Sequence, residues 1–179
     1  KKVFTRLPSS SAIPLAVRRA QDMFVLMFLL RGLPFVDLAY LRKSDLRDNV
    51  ITYRRRKTGR PLSVTLTPEA LELLKKYMNR DSHSPYLFSL LKSGEGTKEA
   101  YREYQLALRS FNQQLTLLGE VLGLNDKLSS YTARHTWATT AYYCEIHPGI
   151  ISEAMGHSSI KVTETYLKPF RNKKIDEAN

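Results

Sequence analysis

The sequence predicts an α+β fold, mostly α-helical with a small antiparallel β-sheet or hairpin. Three observations predict it: apolar residues recur at helical spacing over most of the chain, residues 50 to 66 switch to strand formers around a turn, and helix start and stop residues punctuate the rest. From about Leu15 to Leu30, Met23, Phe24, Met27, Phe28 and Leu30 fall along one helix, which Arg31 closes and Gly32 stops. Asp37 to Leu41 forms a short second helix, and the cluster Asp45-Leu46-Arg47-Asp48-Asn49 reads as a turn. Val50-Ile51-Thr52-Tyr53 and Leu62-Ser63-Val64-Thr65-Leu66 then make a hairpin whose tip, at Thr58-Gly59, is basic.

Thr67-Pro68-Glu69 supplies an N-cap, a proline at the first helical position and an acid in the first turn, so a helix runs from there to about Met78. Residues 79 to 96, rich in Ser, Gly, Pro and Asp, wrap the surface with Tyr86, Leu87 and Phe88 tucked inward. A long helix follows from about Lys98 to Leu122, interrupted or ended near Gly119 and Gly123. Ser129 or Ser130 caps the next, which carries Arg134 and reaches about Cys144. Pro148 starts a short helix, and Ser158 or Ser159 caps the last one, which Pro169 ends. Repeats and low-complexity tracts are absent from the sequence.

Hydrophobic content of 42%, with only eight glycines and eight prolines in 179 residues, suits one globular domain, taken as residues 1–179. The 28 Lys and Arg against 17 Asp and Glu give a formal charge of +11 and a pI near 9.8, which favours a polyanionic partner. The single cysteine, Cys144, excludes an internal disulfide framework, fits a reducing compartment and reads as a core residue of its helix. No apolar run approaches the ~20 residues of a membrane span, so no membrane partner is expected. Lys1-Lys2-Val3-Phe4-Thr5-Arg6 has neither an initiator Met nor a signal peptide and reads like a cut from a longer protein.

On the helix starting near Ser130, Tyr131, Arg134 and His135 fall at i, i+3 and i+4 and share one face, while Trp137 and Ala141 face elsewhere, toward the core. Taken alone, that face is better read as making ordinary surface hydrogen bonds. His157 reads equally as a cap or core histidine, and Lys57, in the run Arg54-Arg55-Arg56-Lys57, as a solvated lysine. Tyr166 follows His157 by nine residues. A tyrosine behind a phosphate-binding Arg/His set is what a metal-free strand transfer needs: a nucleophile that can be esterified to phosphorus, with cations holding the phosphate. Were residues 158 to 166 one uninterrupted helix, His157 and Tyr166 would stand roughly 13 Å apart along its axis, too far for a hydrogen bond. The acids are scattered, with neither a His-Glu-x-x-His motif nor a cysteine pair, so neither metal nor cofactor is expected. His83, Glu145 and His147 read as loop residues.

The ordered set Thr132-Ala133-Arg134-His135-Thr136, then Gly156-His157-Ser158-Ser159-Ile160, then Thr163-Glu164-Thr165-Tyr166, with Lys57-Thr58-Gly59-Arg60 at a hairpin tip, resembles the signature of the tyrosine recombinases, the phage integrase family. The resemblance covers the whole chain and implies the fold of that family's catalytic domain. It implies Tyr166 as nucleophile, Arg134 as the second active-site arginine, His157 as the downstream histidine and Lys57 as the hairpin lysine. The chemistry wants those types. Phenolate attack on a phosphodiester adds negative charge to nonbridging oxygens that a planar guanidinium binds in pairs. The tyrosine, with a reference pKa near 10, needs help to deprotonate, and the departing 5′-hydroxyl needs a proton, which a lysine of depressed pKa supplies.

The chain departs from the family pattern twice. Where the family has His-x-x-Arg, this chain has Tyr131-x-x-Arg134, so a hydroxyl that can bond phosphate replaces an imidazole. Where the family has Gly-Leu-Arg-x-x-Glu-Leu, Pro34 takes the place of the first arginine in Gly32-Leu33-Pro34-Phe35-Val36-Asp37-Leu38. Arg31, three residues earlier, and Arg55, two residues before Lys57 and on its side of the strand, are the surrogates; Arg31 is favoured for its nearness to the vacated position. Asp37 is read as orienting a basic neighbour.

The resemblance implies double-stranded DNA as partner, with Arg54, Arg55, Arg56 and Arg60 as DNA contacts and a steep salt dependence of binding. It also implies assembly on DNA as tetramers through an exchanged C-terminal segment, N-terminal DNA-binding domains outside this chain, and a cytoplasmic, nucleoid-associated location in a prokaryote. The competing expectations are a type IB topoisomerase-like enzyme and a DNA-binding derivative that has lost cleavage.

Overall fold

Val17, Ala20, Met23, Phe24 and Met27 recur three and four residues apart, and in α1 (Leu15–Leu29) that spacing becomes one buried face. Each such large apolar side chain contributes about 1.5–3 kcal/mol when fully withdrawn from water. The computed structural model describes residues 13–167, and α1 runs through the main core against α3 (Pro68–Tyr77), α4 (Lys98–Val121) and α5 (Ser130–Tyr143). Two residues of left-handed backbone, Arg31 (φ 58°) and Gly32 (φ 68°), end the first helix region and turn the chain into α2 (Phe35–Tyr40).

Two predicted helix starts hold in atomic detail. Thr67 accepts from the Ala70 amide with Pro68 at the first helical position, and Pro148 opens α6 (Pro148–Ala154). Ser129 caps α5, its side chain bonded to Thr132. Residues 79 to 97 form the expected surface connection with Tyr86, Leu87 and Phe88 buried. It is tied down by pairing, since Leu87 donates to the Leu41 carbonyl at 2.7 Å and Asn79 to Leu87 at 2.8 Å.

The hairpin of β2 (Val50–Arg54) and β3 (Pro61–Thr65) belongs to a three-stranded antiparallel sheet of order β1-β2-β3. Its third member, β1 (Leu46–Arg47), falls in the segment expected to be all turn. The turn is tighter: only Asp48 (φ 49°) and Asn49 (φ 60°) take left-handed backbone, as a two-residue hairpin loop requires, so Leu46 pairs with Ile51 and Arg47 with Val50.

The expectation for Cys144 is overturned. It caps the end of α5, where Glu145 (φ 64°) reverses the chain, and its side chain is exposed rather than in the core. The last helix among the described residues, α7 (Ile160–Glu164), is one turn long and stops before Tyr166, so the uninterrupted helix on which the 13 Å spacing rested does not form. Pro169 lies outside the described residues. Behind the main core sits a second, smaller one of Ala138, Ile151, Met155 and Tyr166, with Trp137, Ala141 and Val162 against it, joining α5, α6 and α7. Among the described residues no helix is long and apolar enough to cross a membrane.

Candidate active site

Where α2, the hairpin tip, α5 and the α6–α7 turn meet, they enclose a cavity of about 200 Å³. Its walls bring Lys57, Tyr131, Arg134, His157 and Tyr166 together, with Arg55, Thr58, Ser158, Pro34, Val36 and Val162 between them. Tyr166 reaches this place because α7 ends early: its amide bonds to the Thr163 carbonyl at 2.9 Å and its own carbonyl accepts from Thr139 at 3.2 Å. The ring, 9% exposed, packs in the second core, while the His157 and Tyr166 ring centres are 5.1 Å apart and nearly parallel. Tyr131 lies 5.6 Å from the Tyr166 ring, centre to centre, and the two hydroxyls are hydrogen-bonded. His135, from the same helical face, closes this aromatic group, its ring 4.4 Å from that of Tyr166. Burial first, and the bond to Tyr166 second, push the Tyr131 hydroxyl up to about 12, so it remains a proton donor at neutral pH.

Arg134 is 2% exposed and aimed by two backbone carbonyls, Gly32 at 2.9 Å and Met155 at 2.7 Å. Arg55 is 5% exposed and held by Asp37, 2.5 Å away, whose other oxygen accepts the Arg56 amide at 3.0 Å. Asp37 thus orients a basic neighbour, and that neighbour is Arg55. Arg31 does not line the cavity. Its left-handed backbone turns the side chain to the sheet, where it donates to the Ser63 carbonyl at 3.2 Å, whereas Arg55, from the hairpin, lines the cavity beside Pro34. Among the described residues, four buried side-chain polar atoms lack a partner, and three of them, Arg55 Nε, Arg134 Nε and His157 Nε2, belong to cavity-lining residues. Buried donors left unpaired are costly, and an anion would satisfy them.

Of the other hairpin arginines, Arg54 and Arg60 are exposed at the tip, bonded to the Gly59 carbonyl at 3.2 Å and the Ser158 carbonyl at 3.5 Å. Arg56 turns away from the cavity to Glu95 at 2.5 Å. Thr163, fully buried, has no role assigned in the sequence beyond membership of the signature; its hydroxyl meets His157 Nδ1 at 2.8 Å and fixes the ring. Its place at the head of Thr163-Glu164-Thr165-Tyr166 marks it in the sequence, but the pairing with His157 does not show there because it depends on where α7 begins.

Close backbone approach shapes this wall. A Cβ on Gly32 would lie 2.9 Å from the Arg134 Cα, on backbone at φ 68° that L side chains rarely adopt. Gly32→Ala is expected to destabilise the protein by about 1–3 kcal/mol, measured as a drop in the urea midpoint.

His157 is held neutral. Burial, then the charges of Arg134, Arg55 and Lys57, push its pKa down to about 4. The unfolded chain therefore protonates first as pH falls from about 6.5, and the stability this group contributes is full above that pH and is lost on the way down to about 4. Urea unfolding at pH 7.5 and pH 5 should show a larger loss for the wild type than for His157→Gln, in which every other titrating group is unchanged.

The helical fold and the gathering of a tyrosine, an arginine, a histidine and a hairpin lysine around one cavity agree with what the sequence resemblance implies. Residues 11–173 match the model of the phage integrase family, and the chain belongs to that family. It is 28% identical over 149 residues to the tyrosine recombinase XerA of Pyrococcus furiosus, covering 82% of this chain and 49% of the relative. To a tyrosine recombinase of Pseudothermotoga lettingae it is 27% identical over 184 residues, covering 97% and 59%. The chain spans about half the length of the curated relatives it matches. Among solved structures, XerA recombinase superposes with a TM-score of 0.62 at 20% identity over 91% of this chain and 60% of that one. XerH bound to palindromic difH substrate, a post-cleavage complex, superposes at 0.64 and 20% identity over 99% and 48%.

Proposed function

We propose that this domain breaks and rejoins double-stranded DNA through a 3′-phosphotyrosyl intermediate, with Tyr166 as nucleophile. The observation that carries the reading is the trio of unpartnered nitrogens, on Arg55, Arg134 and His157, in the walls of the cavity that Tyr166 also lines. The Tyr166 oxygen forms a bond to the scissile phosphorus, the bond from phosphorus to the 5′-oxygen breaks, and the phosphate stays on the 3′-end. Arg134 and Arg55 meet the charge that builds on the nonbridging oxygens. These two guanidiniums share one site against a single carboxylate, Asp37, which favours an anion between them.

Neutral His157 accepts or donates a hydrogen bond beside the phosphate without adding charge, and the Tyr131 hydroxyl bonds the Tyr166 oxygen, which stabilises it as its proton leaves. Lys57 gives a proton to the departing 5′-oxygen. A partner strand's 5′-hydroxyl later attacks the phosphotyrosine and restores Tyr166, so the ester conserves the bond energy. Arg54 and Arg60, exposed at the hairpin tip, suit backbone phosphates. The test is covalent capture on a nicked duplex carrying the site that affinity selection from random duplexes returns. Adduct formation that depends on Tyr166 supports the reading; absence of any adduct favours the binding-only derivative, and plasmid relaxation without recombinant products favours the topoisomerase-like reading.

A further inference from the structure

We propose that Glu95, Arg56 and Tyr40 form a clamp that sets the hairpin tip, making Arg56 a positioning residue for Lys57 and not a contact to DNA. This rests on the reaction proposed above. Arg55, Arg56 and Lys57 are consecutive, and the first and third line the cavity while the second points the other way. Arg56 is there held at three places: its amide on Asp37 at 3.0 Å, its guanidinium on Glu95 at 2.5 Å, and its Cζ 3.7 Å from the Tyr40 ring centre. Glu95 also binds Arg42 at 2.6 Å, so one carboxylate ties the tip to the residues that follow α2. Arg56 first and Arg42 second hold the Glu95 carboxyl below its ordinary range, which keeps it ionised well into acid.

Exposed ion pairs add little to stability, and these side chains are only about two-thirds covered. Their value lies in geometry. Beyond β2 and β3 the tip is closed by Gly59 to Arg55 at 2.7 Å, Arg55 to Arg60 at 2.8 Å and Arg54 to Gly59 at 3.2 Å. On the cavity side Thr58 donates to the Gly156 carbonyl at 3.0 Å and Arg60 to the Ser158 carbonyl at 3.5 Å, so the clamp is its tie on the opposite side. Arg55 has its own anchor in Asp37; Lys57 has none among the bonds described, so loss of the clamp falls on Lys57.

The experiment compares Glu95→Gln, Arg56→Ala and Lys57→Ala with the wild-type chain by covalent capture on the nicked duplex. A second duplex carries sulfur in place of the 5′-bridging oxygen, whose thiolate departs without a proton donor. The clamp variants are expected to slow adduct formation on the oxygen substrate roughly fivefold to tenfold. They should recover on the sulfur substrate as Lys57→Ala does, and keep the wild-type DNA affinity and salt slope. Amide hydrogen exchange at residues 55–59 should quicken by the same factor in Glu95→Gln and Arg56→Ala. Arg56→Ala that weakens binding and lowers the salt slope by about one, with exchange at the tip unchanged, overturns the clamp. If the wild type gives no adduct on either duplex, the proposed reaction fails, and the exchange measurement alone still decides the clamp.

Discussion

Tyr166→Phe is expected to abolish covalent attachment to the nicked duplex while leaving the fold and DNA affinity in place. The ring of Tyr166 is part of the second core, with Ala138, Ile151 and Met155, and stacks on His157. Phenylalanine keeps all of that packing and removes one oxygen. The hydroxyl it loses bonds Tyr131, which is half exposed and can turn to water, so little stability should go with it. Denaturing gels after incubation with labelled duplex read the adduct directly, and urea midpoints within error of wild type keep the comparison clean. An adduct that persists in Tyr166→Phe would transfer the nucleophile's role elsewhere, with Tyr131 the first residue to replace.

Replacing Arg55 should cost on the order of 10²–10³ in the rate of adduct formation, the usual effect of removing one donor aimed at developing charge, while Arg31→Ala should leave that rate unchanged. Arg55 lines the cavity and Arg31 bonds the sheet backbone. Arg55→Gln strands Asp37, whose side chain has no exposure at all, and breaking a buried pair in this way costs about 3–5 kcal/mol. The double variant Arg55→Gln, Asp37→Asn removes the uncompensated charge and should recover most of the stability without recovering the rate. Equal losses for Arg31→Ala and Arg55→Gln would remove the case for the hairpin arginine.

Local chemistry made much of the fold legible. Thr67-Pro68-Glu69 announces α3 because a cap, a fixed φ and a first-turn acid act within four residues. Asp48-Asn49 was legible as a turn but not as a hairpin, since two-residue strands carry no periodicity to read. Cys144 looked apolar and central, yet its helix ends one residue earlier and leaves it in water. At the site, order along the chain pointed to Tyr166, Arg134, His157 and Lys57, but their distances were opaque because the end of a one-turn helix is not encoded by spacing. The choice between Arg31 and Arg55 was opaque for a related reason. Nearness in sequence favoured Arg31, whereas backbone handedness at that residue and a carboxylate eighteen positions from Arg55 decide where each side chain goes.

The second core holds Tyr166 with only a few side chains from α5, α6 and α7, while the main core gathers most of the apolar residues. Segments with few buried contacts open at lower free energy than the whole molecule. Tyr166, the proposed nucleophile, therefore rests in the thinner of two cores that α5 joins, with Ala133 in the larger and Ala138 in the smaller, and the availability of its hydroxyl should follow local opening of that smaller core. Warming should silence the chemistry while most of the protein is still folded, so the temperature at which adduct formation ceases measures that smaller core and says little about global melting.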